Sequence, residues 1–131
     1  DEINFPISRS KITDRMAASP TTEKGQPNEI GKEALTEFWV EKRFVNFTLL
    51  RVKTHTGRMH QIRVHLLAYG HSAVGDPIYF PKKQKRVWDE KLGRLFLHCV
   101  KLGFVDLNNK KQIFELELPK ELKEFLTQLA K

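Results

Sequence analysis

"RVKTHTGRMHQIRVHLLAYGH", Arg51 to His71, is where the chain changes period. Just upstream, "ALTEFWVEKRF" and "NFTLLRVKTH" are rich in β-branched and aromatic residues with partial alternation. They predict two antiparallel strands joined by a short turn. "THTG" breaks the second strand, and from Met59 about ten residues read as a helix with Gly70 as its C-cap. At about 100° per residue, Met59, Ile62, Leu66, Leu67 and Tyr69 share one apolar arc, and Arg63 falls inside it. A charge there is costly to bury without a partner. The five donors of a guanidinium suit a carboxylate. Two partners are open: an internal carboxylate such as Asp76 or Glu117, or a catalytic carboxylate kept ionised at the base of a cleft.

Outward from this stretch the pattern stays simple. "INFPISRS" predicts an edge strand limited by Pro6. Residues 13–33 are polar, with two prolines and two glycines, and predict a mobile loop. "HSAVGDPIYF" reads as a loop, and "PKKQKRVWDEKLGR" as a basic loop or short helix. "LFLHCVKLGFVDL", "NNKK" and "QIFELELP" predict a hairpin. "KELKEFLTQLAK" puts Leu122, Phe125, Leu126 and Leu129 on one face of a closing helix. Strands, helix, hairpin and helix in that order favour an α+β domain with a mixed, mostly antiparallel sheet flanked by helices.

The chain has 131 residues, enough for one domain with one core, and a formal net charge of +7. With a sequence pI of about 9.6, a polyanionic partner is favoured, most often nucleic acid. Arg58 stands before the helix, and His60, Gln61 and His65 lie off its apolar arc. Lys82, Lys83, Lys85 and Arg86 put four cations in five residues. These eight residues are the candidate RNA contacts, through phosphate attraction near a helix start. A solvated loop is the ordinary reading of such a charge run. Tyr69, Tyr79 and Phe80 are candidates to stack on bases, though core or loop anchoring is the favoured reading.

Other chemistry is poorly supported. His60 and His65 are five apart, off the four-residue spacing of zinc helices, so no metal site is expected. There is no CxxC, no P-loop and no GxGxxG. The one cysteine, Cys99, sits in an apolar run and predicts a buried small residue, in keeping with a reducing, cytoplasmic setting. No apolar run approaches a membrane span. The opening "DEINFPI" reads like the middle of a longer protein.

"TGRMHQIRVHLLAYGHSAVGDPIY", Thr56 to Tyr79, closely resembles the signature of the RluA family of pseudouridine synthases, TGRxHQIRxH followed by GxPxxGDxxY. Met59 stands where a small polar residue is common, and Ser72-Ala73 departs from the usual "GHPI". "GRLFLHCVKLGF" is similar to a second family block, RLxLHAxxLxF, with Cys99 in place of alanine. The likeness runs from Gly31 to the end, and the layout is most similar to synthases of large-subunit ribosomal RNA.

The resemblance implies a mostly antiparallel sheet with a central cleft, and isomerisation of uridine to pseudouridine in RNA, with 23S ribosomal RNA as the expected substrate, without cofactor or metal. It implies a base flipped into the cleft. It also implies that Arg63 pairs with a catalytic aspartate from an RLDxxTSG block, and that Leu97 and Leu102 line the pocket or core. These residues contain no such block; the nearest text is "TDRM" with Asp14. The chain is therefore expected to be the C-terminal portion of a synthase, with the N-terminal half of the same protein as its partner, and inactive alone. A stand-alone RNA-binding module of the same fold, or part of a transfer-RNA synthase, are the alternatives.

Overall fold

The computed structural model describes residues 1–10, 15–18 and 31–131. In order, the elements are β1 (Glu2–Ile3), β2 (Ile7–Arg9), β3 (Met16–Ala18), β4 (Thr36–Arg43), β5 (Thr48–Thr54), α1 (Gln61–Ala68), α2 (Val87–Leu92), β6 (Lys101–Val105), β7 (Lys111–Glu115) and α3 (Lys120–Thr127). Every pairing among the described strands is antiparallel. The fold is α+β. The sheet appears among the described residues as three small sheets, ordered β1-β4-β5, β2-β3 and β6-β7.

β4 and β5 form the frame because their alternating, β-branched text favours a pleated pair. Thr36 lies opposite Thr54 and Arg43 opposite Thr48, with a register shift between Val40 and Lys42. Pro6 splits the first segment into β1 and β2, since it has no N–H to give a ladder. Within residues 13–33, Met16–Ala18 is a strand paired to β2, so that part is not a loop. Residues 13, 14 and 19–30, Asp14 included, lie outside the described residues.

α1 starts two residues later than the periodicity suggests. His60 takes a left-handed conformation, φ 54°, and so cannot continue a helix from Met59. The helix closes as the sequence predicts. Gly70 has φ 94°, its N–H reaches the Leu67 carbonyl, and the His71 N–H reaches the Leu66 carbonyl, a Schellman closure.

The buried face of α1 is Gln61, Val64, His65 and Leu66, which shares only Leu66 with the apolar arc around Arg63. Met59 and Tyr69 are exposed. Val64 packs with Ile7, Ala34 and Tyr79 in the core, with Met16, Ala18 and Leu67 at its edge. A second apolar group gathers around α3, where Trp88 and Phe96 meet Phe125 edge-on or tilted, at ring separations of 5.9 and 6.0 Å. Leu122, Phe125 and Leu129 are buried as the amphipathic pattern requires.

The β6–β7 hairpin has the predicted order, with its turn shaped by Asp106, whose carboxylate accepts the N–H groups of Asn108 and Lys110. Leu102, Phe104 and Phe114 share one face, with the two phenyl rings stacked at 5.9 Å. That face is open to solvent, Leu102 being 55% exposed. Cys99 is also exposed, in the irregular segment that leads into β6. The expectation of a buried thiol is corrected here.

Candidate active site

The site grows from the joint between β5 and α1. Gln61 is almost wholly buried, and its amide is fully used. Its Oε1 accepts from the Thr56 hydroxyl at 2.6 Å and the Arg58 N–H at 3.1 Å. Its Nε2 donates to the Leu35 carbonyl at 2.9 Å and to Thr36 Oγ1 at 3.0 Å. One side chain thus ties the TGR turn to the start of β4.

His65, one helical turn further on, continues the network. Its Nε2 lies 2.7 Å from the Phe5 carbonyl, which can only accept, so Nε2 carries the hydrogen. Nδ1 of the neutral ring then accepts from Thr36 Oγ1 at 2.7 Å. Burial pushes the His65 pKa below its ordinary value, against the raising effect of the Phe5 carbonyl. Both residues were expected to touch RNA. They are buried and saturated by internal hydrogen bonds, so their polar atoms build the site.

Arg63 projects from the other side of α1. Its Nε and Nη2 donate to the two oxygens of Asp76, each at 2.8 Å. Of the two internal carboxylates considered for it, Asp76 is the partner; Glu117 pairs with Lys123 at 2.6 Å. Asp76 is fully buried and also accepts the Ile78 and Tyr79 N–H groups at 3.0 and 2.9 Å. Burial alone would push its carboxyl up. The Arg63 fork, the two N–H groups and the Arg63 charge together hold it below the usual carboxylate value. The same fork raises the Arg63 pKa against the effect of burial. Both Asp76 oxygens are thus engaged in hydrogen bonds and shielded from solvent.

Tyr79 completes the floor. Its ring is fully buried, 5.0 Å from the Arg63 guanidinium carbon, and its hydroxyl lies 2.8 Å from His60 Nδ1 and 3.0 Å from the Met16 N–H. An open depression of about 320 Å³ borders this group, lined by Thr54, Arg58, His60, Arg63 and Leu97 among others. The structure therefore brings together Arg58, His60, Gln61, Arg63 and Leu97 from the sequence-predicted set. Arg58 is partly held, its Nε donating to the Glu33 carbonyl at 2.8 Å.

Leu102 lies away from that depression, on the exposed face of the hairpin. Lys82, Lys83 and Lys85 are exposed. Arg86 is corrected from a surface cation to a structural one: its Nη2 donates to the Asp76 carbonyl at 2.7 Å, and its guanidinium carbon sits 3.7 Å from the Phe80 ring centre. Two ring systems expected as possible stacking surfaces are thus occupied, Tyr79 in the core and Phe80 beneath Arg86. Among the described residues, no three His, Cys, Asp or Glu side chains gather to hold a metal ion, and no helix is long and apolar enough to cross a membrane.

The loop carrying Asp76 is fixed by close approach. Gly75 has φ 78°, and a Cβ there would lie 1.7 Å from the Arg94 carbonyl oxygen. Its N–H donates to Asp89 at 2.7 Å, and the Phe96 N–H reaches the Val74 carbonyl at 2.8 Å. Gly75 lies in the stretch "HSAVGDPIYF", read from sequence simply as a loop. The Gly-Asp dipeptide was the available signal, a glycine giving the backbone room beside a carboxylate.

Comparison with known proteins now adds to this geometry. The chain is 44% identical over 100 residues to an uncharacterized RNA pseudouridine synthase of Aquifex aeolicus (strain VF5), covering 71% of this chain and 31% of that protein. It is 36% identical over 129 residues to ribosomal large subunit pseudouridine synthase C of Haemophilus influenzae, covering 97% of this chain and 38% of that protein. The chain thus spans about a third of the length of these relatives. Its fold is shared with human RNA Pseudouridylate Synthase Domain Containing 1, with a TM-score of 0.73 and 24% identity over 99% of this chain and 52% of that one. Residues 1–68, which run from β1 through α1 and contain Arg63, match the RNA pseudouridylate synthase family, and the chain belongs to that family.

Proposed function

We propose that this chain is the arginine-bearing part of an enzyme that isomerises uridine to pseudouridine in large-subunit ribosomal RNA. The observation that carries the reading is Arg63, fixed beside an open depression at the start of the helix that follows the TGR turn. In the isomerisation the N1–C1′ bond breaks, the uracil turns, and C5 bonds to C1′. C5 gives up its proton and N1 ends with one, so the formula is unchanged and no oxidant or cofactor is called for.

A carboxylate drives this step in our reading, and it is an aspartate from a part of the protein outside this chain. Arg63 keeps that carboxylate ionised, because an adjacent cation favours the charged form. Arg58 and the exposed Lys82, Lys83 and Lys85 attract RNA phosphates, and His60 and Leu97 border the flipped base. The RNA assignment draws on the +7 charge and on the named substrate of the Haemophilus influenzae relative. The setting is cytoplasmic, where that RNA is made in bacteria.

The test is tritium release from C5-labelled uridine in unmodified 23S ribosomal RNA and in transfer RNA, using the full-length protein. Release from the ribosomal RNA supports the reading. Release from transfer RNA alone reassigns the substrate, and tight RNA binding without release makes this a binding module. The 131-residue chain by itself is expected to release nothing; clear turnover by it would show that no outside carboxylate is required.

A further inference from the structure

A guanidinium has two edges that can each grip a carboxylate, one formed by Nε and Nη2 and one by Nη1 and Nη2. Asp76 occupies the first edge of Arg63 through two bonds of 2.8 Å. Among the described residues, nothing hydrogen-bonds to Nη1. We infer that Asp76 is a positioning residue: it holds Arg63 by the side edge so that the end edge meets a second carboxylate or the uracil of the substrate. This inference rests on the synthase reading and deepens it.

Four features support it. Asp76 cannot turn away, because Ile78 and Tyr79 N–H groups hold the same oxygen that accepts Nη2. Arg63 cannot slide, because its guanidinium lies over the buried Tyr79 ring. The loop under Asp76 is pinned at Gly75 against Arg94 and by Arg86 on the Asp76 carbonyl. Arg63 also lines the depression, and its side chain keeps 14% of its exposure while paired to Asp76. An arginine held by one edge loses little further freedom when its other edge closes on a partner. That preorganisation is what an electrostatic support in an active site needs.

The test compares Asp76→Asn and Arg63→Lys in the full-length synthase. The readouts are the single-turnover rate against pH, RNA affinity and thermal unfolding. Asp76→Asn is expected to lower the single-turnover rate about 100-fold, the scale of an ångström-level misplacement. RNA affinity should stay unchanged. The acid limb of the rate profile should move to higher pH, because a poorly placed Arg63 no longer holds the reacting carboxylate low. A folded Asp76→Asn enzyme with the original rate and acid limb would overturn the inference, even where Arg63→Lys abolishes turnover. Normal turnover by Arg63→Lys would instead remove the underlying reading of Arg63. Where Asp76→Asn does not fold, the unsubstituted enzyme decides. The Arg63 Nε–H nitrogen resonance, assigned by its loss in Arg63→Lys, should stay protected from solvent exchange with RNA bound. Rapid exchange there would overturn the inference.

Discussion

His65 Nδ1 lies 2.7 Å from Thr36 Oγ1, and both residues are fully buried. The contact joins the middle of α1 to the first residue of β4. With Nε2 donating to the Phe5 carbonyl, Nδ1 of the neutral ring accepts from the hydroxyl. Burial of the ring holds the His65 pKa below its ordinary 6.5, against the raising effect of the Phe5 carbonyl. An unfolded chain binds that proton more readily, so stability is complete at neutral pH and falls as the pH drops below about 6.5. Urea midpoints between pH 7.5 and 5 should show this slope, and His65→Gln should reduce it. An unchanged slope in the variant would assign it to other groups.

The Arg63–Asp76 fork should appear as a coupling energy. Arg63→Met leaves a fully buried carboxylate without its cation, a class of change that costs about 3–5 kcal/mol. Asp76→Asn should destabilise as well, and the double variant Arg63→Met/Asp76→Asn should lose less than the sum. Equilibrium unfolding of all four proteins measures the difference, expected within roughly 0.5–3 kcal/mol for groups in direct contact. Additive losses would mean that the two residues act separately. Because the folded Asp76 carboxyl is held low, its contribution is present above the usual carboxylate range and is lost as acid protonates it.

Gly75→Ala should be among the most damaging single substitutions in the chain. The added carbon would collide with the Arg94 carbonyl, and the left-handed backbone disfavours any side chain. The backbone effect costs roughly 1–2 kcal/mol and overpacking commonly another 1–3. Gly57→Ala is the control, with nothing within 4 Å of its built Cβ. A shift in melting temperature confined to Gly75→Ala is the expected result; equal shifts would contradict the close approach.

Neutralising Lys82, Lys83 and Lys85 together should flatten the salt dependence of RNA binding by the full-length protein. Each lost phosphate contact removes about 0.7 from the slope of log affinity on log salt for single-stranded RNA. Arg86 is left in place because it supports Asp76. A slope identical to that of the unsubstituted protein would turn this loop away from the RNA.

The elements that the sequence made legible are those whose information is local. β4, β5, the β6–β7 hairpin and α3 each carry their own period and turn residues within a few positions. The Asp76 pairing was readable as one of two candidates because Arg63 demanded a carboxylate. The burial of Gln61 and His65 was not readable from hydropathy, since both are polar and their partners lie far off in the chain. Their spacing was a signal in itself: four apart, with Val64 beside them, they share a helix face. Arg86 misled for a similar reason. Its neighbours in sequence are solvated lysines, whereas its position is set by Phe80 and the Asp76 backbone.

The bonds that close the site also set an order of events. His65 reaches Phe5 across 60 residues, and the Met16 N–H reaches Tyr79 across 63. The β4–β5 and β6–β7 pairs close loops of only a few residues. Short loops close at small entropic cost, and distant contacts wait for the chain between them to be organised. The hairpins are therefore expected to gain amide protection early in refolding. The N-terminal strands should fasten onto α1 and Tyr79 last, so the surroundings of Arg63 are completed only when the rest of the chain has found its shape.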